Sequence, residues 1–217
     1  MRPGLIQLEI GVQSTNPQTI KAIRRTMDFE KLKGIVEQIH SFGNIHQHLD
    51  LIAGLPGETR ADMQDTLRRI KALAPDSLTV HALAIKRAAK FGQEGRTMDL
   101  HSEISGMVED AAECAEEMGL KPYYLYRQKN IAGNFENVGY AEVDKAGIYN
   151  ILIMEEKQTI IACGAGASTK VVFHNEGDEN HSVRIERIEN VKDVRSYVER
   201  IDEMIERKRK FFGENEF

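Results

Sequence analysis

His46-Gln47-His48-Leu49-Asp50-Leu51-Ile52-Ala53-Gly54-Leu55-Pro56-Gly57 is the stretch whose reading decides the fold. Residues His46 to Ala53 read as a strand, and the turn Gly54-Leu55-Pro56-Gly57 ends it. Thr59 and Asp62 then have the spacing of a capping box. Behind them Met63, Leu67, Ile70 and Leu73 share one helical face until Pro75 breaks the helix. The unit before it has the same grammar. Leu5 to Val12 is a strand, Asn16 is placed to cap a helix and Pro17 suits its first turn. A helical region then runs to about His40, with Phe29, Leu32, Ile35, Val36 and Ile39 at helical spacing and Gly43 as a stop signal. Leu78 to Ile85 is a third strand. Strands alternating with amphipathic helices predict an α/β fold of βα units on a parallel sheet.

Alternation along a strand sorts residues by face. Gln7, Glu9, Gly11 and Gln13 oppose Leu8, Ile10 and Val12; His46, His48 and Asp50 oppose Leu49 and Leu51; Thr79 and His81 oppose Leu78, Val80 and Ala82. A parallel sheet covered by helices on both faces reads as apolar throughout. One polar face in all three strands therefore predicts a barrel or half-barrel, with helices outside and a ligand cavity inside near the strand C-termini. His46 and His48 are two imidazoles on one face, but spacing indicates no third metal ligand, and no metal site is assigned.

The segment 86–95 reads as a boundary, so the seam is expected near residue 95. Beyond it the pattern is α+β. A helix runs from about Ser102 to Met118, closed by Gly119, and is followed by the aromatic strand Tyr123 to Tyr126 and a loop rich in Gly and Asn through residues 130–147. Helix and strand compete for the first half of Ile148 to Cys163, while Thr159 to Ala162 reads as strand. Gly164-Ala165-Gly166-Ala167-Ser168 is a turn at which backbone approach to a ligand and a plain tight turn are both open. Val171 to Phe173 and Val183 to Ile188 form a hairpin across a polar loop. A last helix places Val194, Tyr197, Val198, Ile201, Met204, Ile205 and Lys208 on one face, with Glu203–Arg207 and Glu206–Lys210 as i,i+4 pairs.

Composition excludes several function classes. The 217 residues are 41% hydrophobic and 29% charged, so the chain is globular rather than disordered. A net charge of −5, with no basic stripe, gives no footprint for nucleic acid. Cys114 and Cys163 are the only cysteines, too few for a disulfide scaffold or to hold an iron-sulfur cluster, and a reducing cytoplasm is expected. The start lacks a hydrophobic signal core, and no apolar run approaches the roughly 18 residues that span a bilayer.

Several motifs resemble a known family. Leu8-Glu9-Ile10-Gly11-Val12-Gln13-Ser14 and Asp50-Leu51-Ile52-Ala53-Gly54-Leu55-Pro56-Gly57-Glu58 resemble the fourth and fifth strands of radical S-adenosylmethionine enzymes. The run from Pro75 to Ala89 resembles the sixth strand of the oxygen-independent coproporphyrinogen III dehydrogenases. Residues 122–130, 132–140 and 163–168 are similar to that group's C-terminal domain. The resemblance covers essentially the whole chain. It implies the second half of a TIM-like (β/α) barrel over residues 1–94 and a C-terminal domain of the dehydrogenase type over 95–217.

Carried over by residue, it implies that Gln13, Arg25 and Asp50 contact the methionine and ribose parts of S-adenosylmethionine, that Glu9 and His81 belong to the same site, and that the backbone at Gly54 to Pro56 approaches the adenine. Tyr123, Tyr124 and Arg127, with Gly164 and Gly166, face the porphyrinogen on this reading, aromatic surfaces suiting a tetrapyrrole and a cation its propionates. The family reaction takes a hydrogen from each of two propionates and releases carbon dioxide to leave vinyl groups, giving protoporphyrinogen IX.

The family's Cys-x3-Cys-x2-Cys motif for a [4Fe-4S] cluster is absent, as are the first three βα units. The chain is thus expected to be inactive alone, with the missing half-barrel as a partner. Residues 5–49 are closer in character to other radical enzymes, which leaves open a join near Asp50 to Gly57. The competing expectations are a haem carrier without radical chemistry and a truncated product whose first strand must pair with another chain.

Overall fold

The computed structural model describes residues 6–83, 99–126, 137–174 and 183–214. Three parallel strands come first: β1 (Ile6–Gln13), β2 (Ile45–Ala53) and β3 (Ser77–Ala82). Helices α1 (Pro17–Ala22) and α2 (Phe29–Phe42) connect the first pair, and α3 (Arg60–Leu73) the second. The expected capping is present. The Asn16 side chain accepts from the N–H groups of Gln18 and Thr19, and Thr59 and Asp62 form a reciprocal capping box. The first helical region is broken: residues 23–28 separate α1 from α2, which starts anew on the Asp28 cap. Ile35, placed by spacing on the inner face, is exposed, as is Leu8 of β1.

The sheet continues past β3. The strands β4 (Lys121–Tyr126) and β5 (Asn137–Ala141), which follow α4 (Asp99–Glu117), add antiparallel to give the order β1-β2-β3-β5-β4. Sequence reading puts residues 137–141 in a loop and β4 in a separate domain. Instead β5 pairs with the free edge of β3, where unpaired backbone groups need partners. Residues through Gly147 accordingly form one compact unit and Ile148 to Phe217 a second, so the division lies at 147/148. The seam expected near residue 95 falls outside the described residues. Leu49, Leu51, Leu78 and Val80 from the sheet pack with Val36, Met63, Leu67 and Ile70 from α2 and α3 and with Met107 and Ala111 from α4. The apolar face read from alternation is the face the helices cover.

In the second unit, α5 (Ile148–Met154) settles the competition over its segment as helix, and Thr159 to Ala162 contributes a single bridge, Ile160 to Lys170, rather than a strand. The hairpin of β6 (Ser168–His174) and β7 (Val183–Glu189) is as expected. The last helix is two: α6 (Val194–Glu199) and α7 (Ile201–Glu214), broken at Arg200. Of the expected apolar face only Met204 is buried, while Val194, Val198, Ile201 and Ile205 are exposed. Glu203–Arg207 pairs as read, but Glu206 pairs with Arg209 rather than Lys210. No described helix is long and apolar enough to cross a membrane.

Candidate functional site

One row of residues crosses the whole sheet on its polar face. Gly11 on β1 is registered with Asp50 on β2, Asp50 with Thr79 on β3, Thr79 with Gly139 on β5, and Gly139 with Tyr124 on β4. An acidic centre and a hydroxyl therefore lie between two positions without side chains. Both vacant spaces are taken by neighbours. A Cβ on Gly11 would collide with the Gln13 amide nitrogen, and one on Gly139 with the Tyr124 ring.

Asp50 is the hub. Its Oδ1 lies 3.2 Å from His48 Nε2 and 3.5 Å from His81 Nε2, with its side chain one-quarter exposed. Burial pushes its carboxyl up, but the His48 and His81 hydrogen bonds and charges outweigh this and hold it at about 2. His48 is itself buried, with Nδ1 2.8 Å from Ser77 Oγ and Nε2 2.8 Å from Thr79 Oγ1. Ser77 Oγ in turn donates to the Gln47 carbonyl at 3.3 Å, which ties the His48 ring to the backbone of its own strand. Thr79 Oγ1 also meets the Tyr124 phenol at 2.9 Å. Burial, opposed by that bond and reinforced by Tyr123, Asp50 and Glu9, pushes the phenol up to about 12.

At the β1 end, register shifts between Gly11 and Gln13, and Gln13 has a φ of 68°. This bulge folds the Gln13 amide back over Gly11, where Arg25 Nη1 also arrives and donates to the Gly11 carbonyl at 3.0 Å. Amide and guanidinium thus meet over Gly11, the register neighbour of Asp50. Glu9 is exposed on the same face and accepts from Gln7 at 3.3 Å. Gly54 is buried with φ +86°, and a Cβ there would meet Ile104 of α4 at 2.6 Å, so the turn holding it and Pro56 is fixed by packing from the covered face.

Tyr123 packs edge-on to Tyr124, with ring centroids 4.8 Å apart. Arg127 lies outside the described residues. In the second unit the Gly164 N–H donates to Tyr197 and the Gly166 N–H to the Val191 carbonyl, so both backbone donors are used within that unit. The structure thus brings Gln13, Asp50, His81 and Tyr124 onto one sheet, with the Arg25 side chain reaching it from the connection between α1 and α2. His48, Thr79 and Gly139 are also part of the site, although sequence reading assigned them no role. A glycine flanked by β-forming residues, as in Asn137-Val138-Gly139-Tyr140, was the available signal for the last. Among the described residues no group of three or more His, Cys, Asp or Glu side chains could hold a metal ion.

The donor set suits a zwitterionic nucleoside ligand: a carboxylate for hydroxyl or ammonium donors, a guanidinium for a carboxylate, and an amide for either. S-adenosylmethionine has those groups.

Residues 1–70 match the Radical SAM superfamily. The chain is 41% identical over 209 residues to the oxygen-independent coproporphyrinogen-III oxidase-like protein of Bacillus subtilis, covering 94% of this chain and 40% of that protein. It is 38% identical over 81 residues to the oxygen-independent coproporphyrinogen III oxidase of Bradyrhizobium diazoefficiens, covering 37% and 18%. Over 107 residues it is 31% identical to the tRNA-2-methylthio-N(6)-dimethylallyladenosine synthase of Clostridium botulinum, covering 48% and 24%. The chain therefore spans about two fifths of the length of the Bacillus relative. Its fold is shared with coproporphyrinogen III oxidase from Escherichia coli, at a TM-score of 0.64 and 17% identity over 91% of this chain and 43% of that one.

Proposed function

Because this chain belongs to the radical SAM superfamily and is related along nearly its whole length to an oxygen-independent coproporphyrinogen-III oxidase-like protein, we propose that it forms the cofactor- and substrate-gripping part of such an oxidase. The reaction is the oxidative decarboxylation of two propionates of coproporphyrinogen III to vinyl groups. The observation that carries this reading is the row from Gly11 to Tyr124, which sets a carboxylate, a threonine hydroxyl and a phenol on one sheet face.

In the full-length family S-adenosylmethionine and a [4Fe-4S] cluster supply the one-electron chemistry that removes hydrogen from the substrate. Asp50 holds hydroxyl or ammonium donors of the cofactor because its carboxyl stays ionised through the physiological range. Arg25 pairs with the methionine carboxylate, Gln13 spans the two, and His81 with Glu9 lines the same face. The Gly54 to Pro56 backbone borders the adenine. Tyr123 and Tyr124 offer aromatic surface to the tetrapyrrole, with Arg127 as a partner for a propionate. Gly164 and Gly166 belong to the substrate side on this reading. The two cysteines of the sequence do not make the cluster motif, so the catalytic unit draws its cluster thiolates from residues beyond these, and these alone are inactive.

Anaerobic calorimetric titration with S-adenosylmethionine tests the reading. Asp50→Ala and Arg25→Ala are each expected to weaken binding at least about tenfold, the loss of one charge-assisted contact. Unchanged affinity in both, with stoichiometric uptake of reduced haem, would favour a haem carrier instead.

A further inference from the structure

The strained end of β1 is tied down from an unexpected side. Ser14 N–H donates to the Val12 carbonyl at 2.9 Å around Gln13, whose φ is 68°. This is a γ-turn with a left-handed centre, an arrangement that a residue bearing a Cβ adopts only when its surroundings over-determine it. Those surroundings are buried and polar. Ser14 is fully buried and its hydroxyl donates to Glu58 Oε1, from the turn after β2, while its oxygen accepts the Asn16 N–H at 3.1 Å. Thr15 N–H donates to Thr66 Oγ1 of α3 at 3.1 Å, and Asn16 Nδ2 donates to Asp62 at 2.9 Å. Three consecutive residues after Gln13 are thus stapled to the β2–α3 connection and to the first turns of α3.

We propose that the buried Ser14–Glu58 hydrogen bond is a latch that holds Gln13 in its left-handed turn and thereby aims its amide across Gly11 onto the polar face. Ser14 and Glu58 are positioning residues that act through Gln13. With the latch open, Gln13 relaxes toward an ordinary strand conformation, and its amide leaves the cradle beside Arg25. The consequence for the cofactor rests on the proposed placement of S-adenosylmethionine at Gln13; the latch itself does not.

Two measurements on the full chain separate these. The first is ligand-free. Ser14→Ala and Glu58→Ala are expected to shift the backbone and side-chain amide NMR signals of Gln13, and Glu58→Gln, which keeps an acceptor for the Ser14 hydroxyl, to restore them. In a Gln13→Gly background, where left-handed φ is no longer strained, Ser14→Ala is expected to lower the melting temperature less than in the parent. Unmoved Gln13 signals, or an equal melting loss in both backgrounds, would overturn the latch. The second is calorimetric titration with S-adenosylmethionine. Ser14→Ala is expected to weaken binding about tenfold, as one misplaced hydrogen-bonding group does, and to add nothing once Gln13 is Ala. An equal further loss in the Gln13→Ala background would overturn action through Gln13. If Gln13→Ala leaves affinity unchanged while its signals respond to Ser14→Ala, the latch stands and the cofactor placement falls.

Discussion

Tyr124 crosses Gly139, its registered neighbour on β5, and brings its phenol within 2.9 Å of Thr79 Oγ1 on β3. A strand at the sheet edge thereby reaches a hydroxyl two strands inward, and only a glycine between them leaves room for the ring.

Gly139→Ala forces that ring off the sheet. Overpacking of this kind destabilises by about 1–3 kcal/mol, and the lost hydrogen bond falls within that range. Urea unfolding followed by circular dichroism measures it; a change under about 0.5 kcal/mol, the level of ordinary surface substitutions, would show that the ring has another place to go.

Tyr124 is expected to titrate late. Its phenol is pushed up to about 12 from 10, so the neutral form favours the fold below pH 10 and this contribution disappears as pH rises through about 12. Ultraviolet titration of the parent against Tyr124→Phe isolates the phenol, and a group ionising near pH 10 would contradict the burial that raises it.

Asp50 contributes to acid stability. Its carboxyl is depressed from 3.8 to about 2, so the stabilisation is present above pH 4 and is lost as pH falls toward 2. The shift corresponds to roughly 2 kcal/mol. Unfolding free energies of the parent between pH 5 and 2 are expected to drop more steeply than those of Asp50→Asn, and parallel curves would remove Asp50 from the account.

Asp76, buried before β3, joins strand to strand. It accepts the Gln47 N–H at 2.8 Å and pairs with Lys145, whose contacts hold its carboxyl down against burial. Asp76→Ala leaves the buried Gln47 N–H without its acceptor and Lys145 with Glu142 alone, and is expected to destabilise by about 1–3 kcal/mol. Asp76→Asn retains one acceptor and is expected to lose less, which thermal unfolding of the pair checks.

Much of this architecture is legible in the sequence. Alternation in β1 to β3 separated the polar face holding Asp50, His81 and Glu9 from the helix-covered face holding Leu49 and Val80. The Thr59–Asp62 box and the Asn16 cap marked helix starts because each depends on groups three residues apart. What failed were the features that local pattern does not encode. Residues 137–141 read as loop because Asn and Gly disfavour strands in isolation, yet the open edge of β3 supplies the pairing that outweighs propensity. The single final helix breaks at Arg200 although its apolar spacing runs on.

The candidate site divides in the same way. Parity determined that His48 and Asp50 share one face of β2 and that Thr79 and His81 share one face of β3, since successive side chains on a strand must alternate. Only the tertiary structure decided that Gln13 turns back over Gly11, that His48 and His81 meet on one Asp50 oxygen, and that Tyr124 joins them across Gly139. Those meetings depend on strand register and on a left-handed turn held by a residue 44 positions away. Such contacts arise from backbone pairing between distant segments, whereas the alternation and caps that the sequence determined are properties of a few adjacent residues.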